Sequence, residues 1–248
     1  MNNGNAGLIA MMDAETMGGM GAPPVDDGAL SVRTTASSTE RGSSMHFYSN
    51  TILPRLCSLA MRNRNFLPYR QRVVAAADGH VLEIGMGSGL NLPFYGTTVR
   101  DIQGLEPSPR LIAMARRAAD ESAVPVSFIE GSAEAIALDD HSIDSVVTTW
   151  TLCTIPYAKQ ALAEMRRVLK PGGQLLFVEH GLAPEARVRR WQHRLTPVWS
   201  KIAGGCHLDR SIETLIEQAG FTLPQLTTGY MKGPRPMTFI YEGRARLR

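Results

Sequence analysis

The chain has 248 residues, 44% of them hydrophobic and 20% charged, with a formal net charge of +3. That length suits one folded domain with a tail, and the charge is too small by itself to point to nucleic acid. No run of 18 apolar residues is present, so a membrane-spanning helix is not expected, and three widely separated cysteines (Cys57, Cys153, Cys206) argue against a disulfide framework and for a reducing, cytoplasmic setting.

Residues 1–44 are rich in Gly, Ser, Thr, Met and Asn and show no sustained period, which predicts a disordered tail. The apolar piece Leu8–Met12 is too short for a secretory signal and no basic residue precedes it. The expectation is a dispensable tail or the product of an upstream start codon. Residues 45–78 form a second unit. Within 46–77 stand Arg55, Arg62, Arg64, Arg70 and Arg72, with no acid and with Ile52, Leu53, Leu56, Leu59, Ala60 and Phe66 at near-helical spacing. Pro54 and Pro68 confine the predicted helix to about 54–66. A basic amphipathic helix of this kind either rests on anionic lipid or covers a substrate, as a peripheral membrane contact or a lid, or packs on the domain with a solvated basic face.

The main domain, 79–248, alternates apolar runs with helical periods. Strands are predicted at 80–85, 101–106, 126–130, 143–149 and 174–179, with two more at about 221–229 and 237–242. Ser108-Pro109 caps a helix. Ala161, Leu162, Met165, Val168 and Leu169 mark another at 157–169, which Pro171-Gly172-Gly173 stops, and a third covers about 209–219. Val188, Trp191, Leu195, Trp199 and Ile202 also recur at helical spacing, with Pro197 interrupting. Near-continuous apolar strands in β-α-β order imply an α/β, doubly wound, mostly parallel seven-stranded sheet.

The chemistry is written at 81–91, Val-Leu-Glu-Ile-Gly-Met-Gly-Ser-Gly-Leu-Asn. A strand ends in Gly85, Gly87 and Gly89, and an acid, Glu106, follows 21 residues after Gly85, near the spacing that offers a carboxylate to ribose hydroxyls. A dinucleotide fingerprint would need glycine at position 90, which is Leu90. Glu83-x-Gly85-x-Gly87-x-Gly89 followed by Glu106 resembles instead the first motifs of the class I S-adenosylmethionine (SAM) methyltransferases. Gly131-Ser132-Ala133-Glu134, Ile143–Val147 and Leu169-Lys170-Pro171-Gly172-Gly173 resemble their later turns, in the same order. A narrower set is similar to the branch holding alkyl-thiol S-methyltransferases and bacterial phospholipid N-methyltransferases: Asn91–Tyr95, Trp150–Thr154, Val178-Glu179-His180, Trp191-Gln192, Pro197–Trp199 and Gly205–Arg210.

The resemblance implies a SAM cofactor and a small-molecule or lipid acceptor. Gly85, Gly87 and Gly89 would line the methionine and ribose, with Glu83 supporting the loop, and Glu106 would accept the ribose hydroxyls. Ser132 and Ala133 would flank the adenine, with Ser132 replacing the common Asp and Glu134 facing solvent. Thr149 completes the cofactor edge. Trp150, Cys153, Trp191, Trp199 and His207 would line the acceptor pocket, with His180 as general base. Cys206-His207-x-Asp209 is metal-like by content only, since adjacent residues rarely share one ion, and no metal is expected. The alternative is a non-catalytic SAM-binding or lipid-surface protein. Nucleic acid is not expected as a partner, because the Arg-rich segment lacks an array of stacking aromatics.

Overall fold

The computed structural model describes residues 58–248. The expectations for 1–44, and for the first part of the basic segment, lie outside the described residues.

Seven strands form one sheet: β1 (Gly79–Ile84), β2 (Val99–Glu106), β3 (Val126–Glu130), β4 (Ile143–Thr149), β5 (Leu169–His180), β6 (Phe221–Tyr230) and β7 (Phe239–Leu247). Their order is β3-β2-β1-β4-β5-β7-β6. The first five run parallel, and β7 enters antiparallel between β5 and β6. The helices are α1 (Leu67–Val74), α2 (Pro109–Ala119), α3 (Ala158–Val168), α4 (Ala186–Ile202), α5 (Ile212–Gln218) and the short α6 (Arg235–Thr238). The predicted fold class and all seven strand positions are therefore present.

Alternation along the strands splits the core in two, because successive side chains point to opposite faces. Leu82, Ile84, Val146, Leu175 and Phe177 pack with Ala161, Leu162 and Met165 of α3 and with Ile212 and Ile216 of α5. Val81, Val147, Leu176 and Val178 face the other way, against Val73 and Val74 of α1 and Ala115 of α2. Covering both faces is what lets these strands be apolar throughout.

The basic segment differs from expectation. A helical turn at 58–61 ends before a 3-10 turn at Arg64–Phe66, and Pro68 sits in the first turn of α1 rather than ending a helix. Proline suits that position because its missing N–H would be unpaired there anyway. Two of the arginines also turn to the protein. Arg70 is buried and donates to Asn91 Oδ1 at 2.6 Å, while Arg72 holds Glu242 of β7 through two hydrogen bonds of 2.7 and 2.8 Å. Pro197 does not interrupt its helix: α4 continues through it to Ile202.

In a parallel sheet the strand carboxyl ends share one edge, and ligands of open α/β sheets bind there. Register sets Ile84 beside Leu105 and Thr148, Glu106 beside Glu130, and Thr149 beside Val178. A depression of about 580 Å³ lies at the opposite end, lined by residues such as Asp120, Pro125 and Val126 where β3 begins.

Candidate active site at the carboxyl edge of the sheet

The three glycines of the first loop have three different neighbourhoods. All have positive φ: 65° at Gly85, 60° at Gly87 and 78° at Gly89. A Cβ on Gly85 would lie 2.3 Å from Thr151 Cγ2. One on Gly89 would press on α2, 3.0 Å from Ala118 Cβ and 3.3 Å from Ala115 Cα. At Gly87 the nearest atom would be Gly85 O at 3.9 Å, so this position alone opens onto space. Gly85 and Gly89 are glycine because protein packs against them, and Gly87 is the point of open approach.

Glu106 ends β2 and takes hold of that loop. Its Oε2 accepts from Gly87 N at 3.0 Å and its Oε1 from the N–H of Ser108, the N-cap of α2, at 3.0 Å. Burial pushes its carboxyl above the usual range, opposed by those two amides. Each carboxylate oxygen can take a second donor, so ribose hydroxyls can join without displacing the loop.

Glu83 sits beneath, wholly buried. Tyr95 Oη donates to Oε2 at 2.7 Å and Asn91 Nδ2 to Oε1 at 2.9 Å. Asn91 Nδ2 also donates to Thr149 Oγ1 at 3.0 Å, so the residue after the glycine loop ties β1 to the end of β4. The Glu83 support role of the sequence reading acquires partners that reading did not identify: Arg70, Asn91 and Tyr95. Burial raises its carboxyl from 4.5 to about 7, with Tyr95, Asn91 and the Arg70 charge opposing. Desolvation lowers the Arg70 guanidinium to about 10, with Glu83 pulling the other way.

A carboxyl that binds its proton more tightly when folded contributes stability in full below 4.5 and loses it as pH rises to about 7. Glu83→Gln cannot ionise. The fall in stability from about pH 5 to about pH 8 is expected to be shallower in the variant than in the parent, by denaturant unfolding. Equal slopes would remove Glu83 as the source.

Glu179, near the end of β5, organises the next loop. It is fully buried and accepts from Thr148 Oγ1 (2.7 Å) and from three consecutive backbone amides, Thr151, Leu152 and Cys153, at 3.0, 2.9 and 3.2 Å. Gathering those amides turns the chain sharply after β4. Trp150 takes a left-handed φ of 51° and its own N–H bonds Val178 O at 2.7 Å. Such strain in a non-glycine residue clusters at functional sites. The Trp150 ring meets Phe66 edge-on at 4.7 Å, Tyr69 at 6.5 Å and His180 at 6.5 Å, with the Arg70 guanidinium 5.1 Å from its centroid. Its indole N–H is buried with no partner among the described residues.

The turn at 203–210 docks on this loop through backbone. His207 N donates to Cys153 O at 2.9 Å, and Arg210 donates to Leu152 O at 2.6 Å. This places Cys206 Sγ 3.6 Å from Cys153 Sγ, with His180 in the same cluster. The hydrogen bond shared with Cys153 brings the Cys206 thiol down to about 5, against burial, with His180 helping, and Cys153 is pushed well above the usual thiol range. Sequence spacing cannot reveal such a cluster, since its members lie on three separate segments.

The other predicted pocket residues divide. Trp199 packs against Cys153, Cys206 and Leu208. His207 is half exposed beside Asp209, 4.0 Å away. Trp191 is a correction: it is 49% exposed and lies under the Arg194 guanidinium, because Val188, Gln192 and Thr196 take the buried face of α4. Ala133 is buried in the core of the sheet. Ser132 is exposed and its hydroxyl bonds Glu134, whose Oε1 accepts from Tyr157 N at the start of α3 at 2.9 Å. The Ser132 hydroxyl must change partners to reach an adenine.

Residues 82–177 match the "Methyltransferase domain" family model. Thiol S-methyltransferase TMT1B of Homo sapiens is 32% identical over 176 residues, 68% of this chain and 70% of that protein. The chain belongs to the SAM-dependent methyltransferases. TMT1B of Rattus norvegicus is 36% identical over 150 residues, and there the match spans 59% of this chain and 61% of the relative. Phosphatidylethanolamine N-methyltransferase of Cereibacter sphaeroides is 33% identical over 109 residues, 43% of this chain and 53% of that protein. A SAM-dependent methyltransferase structure from Thermotoga maritima, described as a possible histamine N-methyltransferase, shares the fold with a TM-score of 0.58 at 22% identity, covering 82% of this chain and 99% of that one.

The residues fit the family's cofactor. SAM carries no phosphate, and the loop offers open approach at Gly87 rather than an anion cradle, with the Glu106 carboxylate 3.0 Å from the Gly87 amide. Glu106→Ala is expected to weaken SAM binding roughly 10- to 150-fold, the 1.5–3 kcal/mol range of charge-assisted hydrogen bonds. Calorimetric titration checks this, and a loss below about threefold would reject a ribose role.

Proposed function

We propose that the protein transfers the methyl group of SAM to the sulfur of a small lipophilic thiol. The observation that carries the reading is the wall beyond the glycine loop, where the partly exposed rings of Phe66 and Tyr69 stand on the buried Trp150 and the partly exposed His180 stands at its end. The TMT1B relatives, named as thiol S-methyltransferases, support the sulfur acceptor.

Bound SAM supplies a methyl group already activated by its cationic sulfonium. The chain's part is alignment and exclusion of water. Gly87 permits close approach, Glu106 fixes the ribose, and the partly exposed rings of Phe66 and Tyr69, held edge-on by the buried Trp150, provide an apolar bed suited to an alkyl chain. Alignment of this kind is worth roughly 7–11 kcal/mol in favourable systems. Even a thiol as acidic as a cysteine side chain, of pKa about 8.5, is only a few per cent ionised near neutrality, so the acceptor gains from a group that takes up or displaces its proton.

A second reading, methylation of a phospholipid headgroup amine, is favoured by the Cereibacter sphaeroides relative and by one surface feature. Leu59 and Leu67 are exposed near the exposed Arg62 and Arg64, a pairing suited to peripheral contact with an anionic bilayer. No described helix is long and apolar enough to cross a membrane.

Methyl-labelled SAM offered with short and long alkyl thiols in one reaction, and with phosphatidylethanolamine vesicles in another, separates the readings. Label on thiols is the expected result. Label only in lipid replaces the thiol reading with the second, and SAM binding without label anywhere replaces both with a non-catalytic SAM-binding protein.

A further inference from the structure

We propose that Cys153, His180 and Cys206 form a zinc site with one coordination position open to an acceptor thiolate. The three ligands come from the loop after β4, the end of β5 and the turn after α4, and their donor atoms all lie within 4.8 Å of one another. The two sulfurs are 3.6 Å apart. Zinc–sulfur bonds of about 2.3 Å at a tetrahedral angle require about 3.8 Å, so a small outward movement admits the ion. A disulfide would need the sulfurs to close to about 2.05 Å.

The scaffold is built to hold this arrangement. Cys153 is pinned at both backbone ends, its N–H on Glu179 and its carbonyl on His207 N, and Cys206 N bonds Ala203 O at 3.2 Å. Leu195, Trp199, Ala203, Leu208 and Met237 pack around the cysteines. An apolar shell strengthens metal–ligand electrostatics and excludes water. Two sulfurs and one imidazole make a soft donor set that favours zinc over magnesium or calcium. Three protein ligands with a free fourth position are the pattern of reactive rather than structural zinc.

The open side is set by burial. Both cysteines are buried, whereas His180 is partly exposed and faces the Trp150 ring, the wall assigned above to the acceptor. A thiol entering there would coordinate as RS⁻, its proton leaving to solvent, since a metal-bound thiol is deprotonated outright. His180 would then act as a ligand in place of a base. This step rests on the thiol reading; the metal site itself does not.

The test uses the full chain, reduced and purified without chelator or a metal-affinity column. Elemental analysis is expected to find about one zinc per chain, and Co²⁺ to give an intense thiolate charge-transfer band. Cys206→Ser and His180→Gln are expected to weaken zinc binding, in competition with a chromophoric chelator, by at least about 100-fold while melting near the parent temperature. Adding an alkyl thiol to the Co²⁺ protein is expected to intensify the band. No zinc bound at micromolar concentrations, a Cys153–Cys206 disulfide in the reduced protein, or unchanged affinity in folded variants overturns the site. An unchanged band on adding thiol overturns the open position. A band that responds while label never reaches a thiol sinks the proposed reaction and leaves the metal site standing.

Discussion

Glu179→Ala is expected to destabilise the protein by at least about 3 kcal/mol. Four donors converge on this carboxylate, three of them successive backbone amides of one loop. Removing the acceptor alone orphans buried N–H groups, and each such loss costs about 1–3 kcal/mol. The size of the chain converts this to a fall in melting temperature of roughly 6–12 °C. Glu179→Gln keeps one carbonyl oxygen for the Thr151 and Leu152 amides, so its loss is expected to be smaller. The damage is also local: with the amides released, Trp150 keeps only its own N–H bond to Val178 O and Cys153 only its carbonyl bond to His207 N, so the loop loses half of its anchoring. SAM binding and thermal melting are therefore expected to fall together in the Ala variant. A melting temperature within about 2 °C of the parent would show that water or a shifted loop replaces the carboxylate.

Gly87→Val is expected to abolish measurable SAM binding in a protein that still folds. A Cβ there meets no protein atom closer than 3.9 Å, so the main folding penalty is the backbone strain of a β-branched side chain at φ 60°. That strain is about 1–2 kcal/mol, short of what unfolds a typical domain. The added methyl groups fill the space through which a ligand would approach the main chain. Gly85→Val is the control with the opposite outcome. Its Cβ would overlap Thr151 Cγ2 at 2.3 Å, and Thr151 is fixed by Glu179, so the collision cannot be relieved cheaply. That variant is expected to lose stability first. Melting curves with calorimetric titration separate the two, and SAM affinity in Gly87→Val within threefold of the parent would remove this loop from the cofactor site.

These expectations depend on information of two kinds. Period-2 and period-3.6 apolar patterns gave seven strands and the main helices, because burial on a sheet or helix face imposes that spacing wherever the element sits. The glycine loop and Glu106 were legible for a similar reason, since close approach and positive φ select glycine locally and the acid follows one β-α-β step later. Of the helix expected at 54–66, the described part ends at Met61, and Pro68 opens α1 where a stop is expected, because proline also suits a first turn. Trp191 was misassigned because helical spacing gives a stripe without saying which side of it meets the protein, and Gln192 and Thr196 take the buried face.

What the sequence alone determined was the element order, the sheet and the position of the glycine loop at the end of β1, all set by local pattern. The tertiary structure decided the rest. It turned Arg70 inward to Asn91, separated the open Gly87 from the packed Gly85 and Gly89, gave Glu179 its loop, and brought Cys153, His180 and Cys206 within 4.8 Å. The physical reason is common to all four. Each depends on contacts between segments far apart in the chain, and such contacts are fixed by packing, which leaves no periodic trace in any one segment.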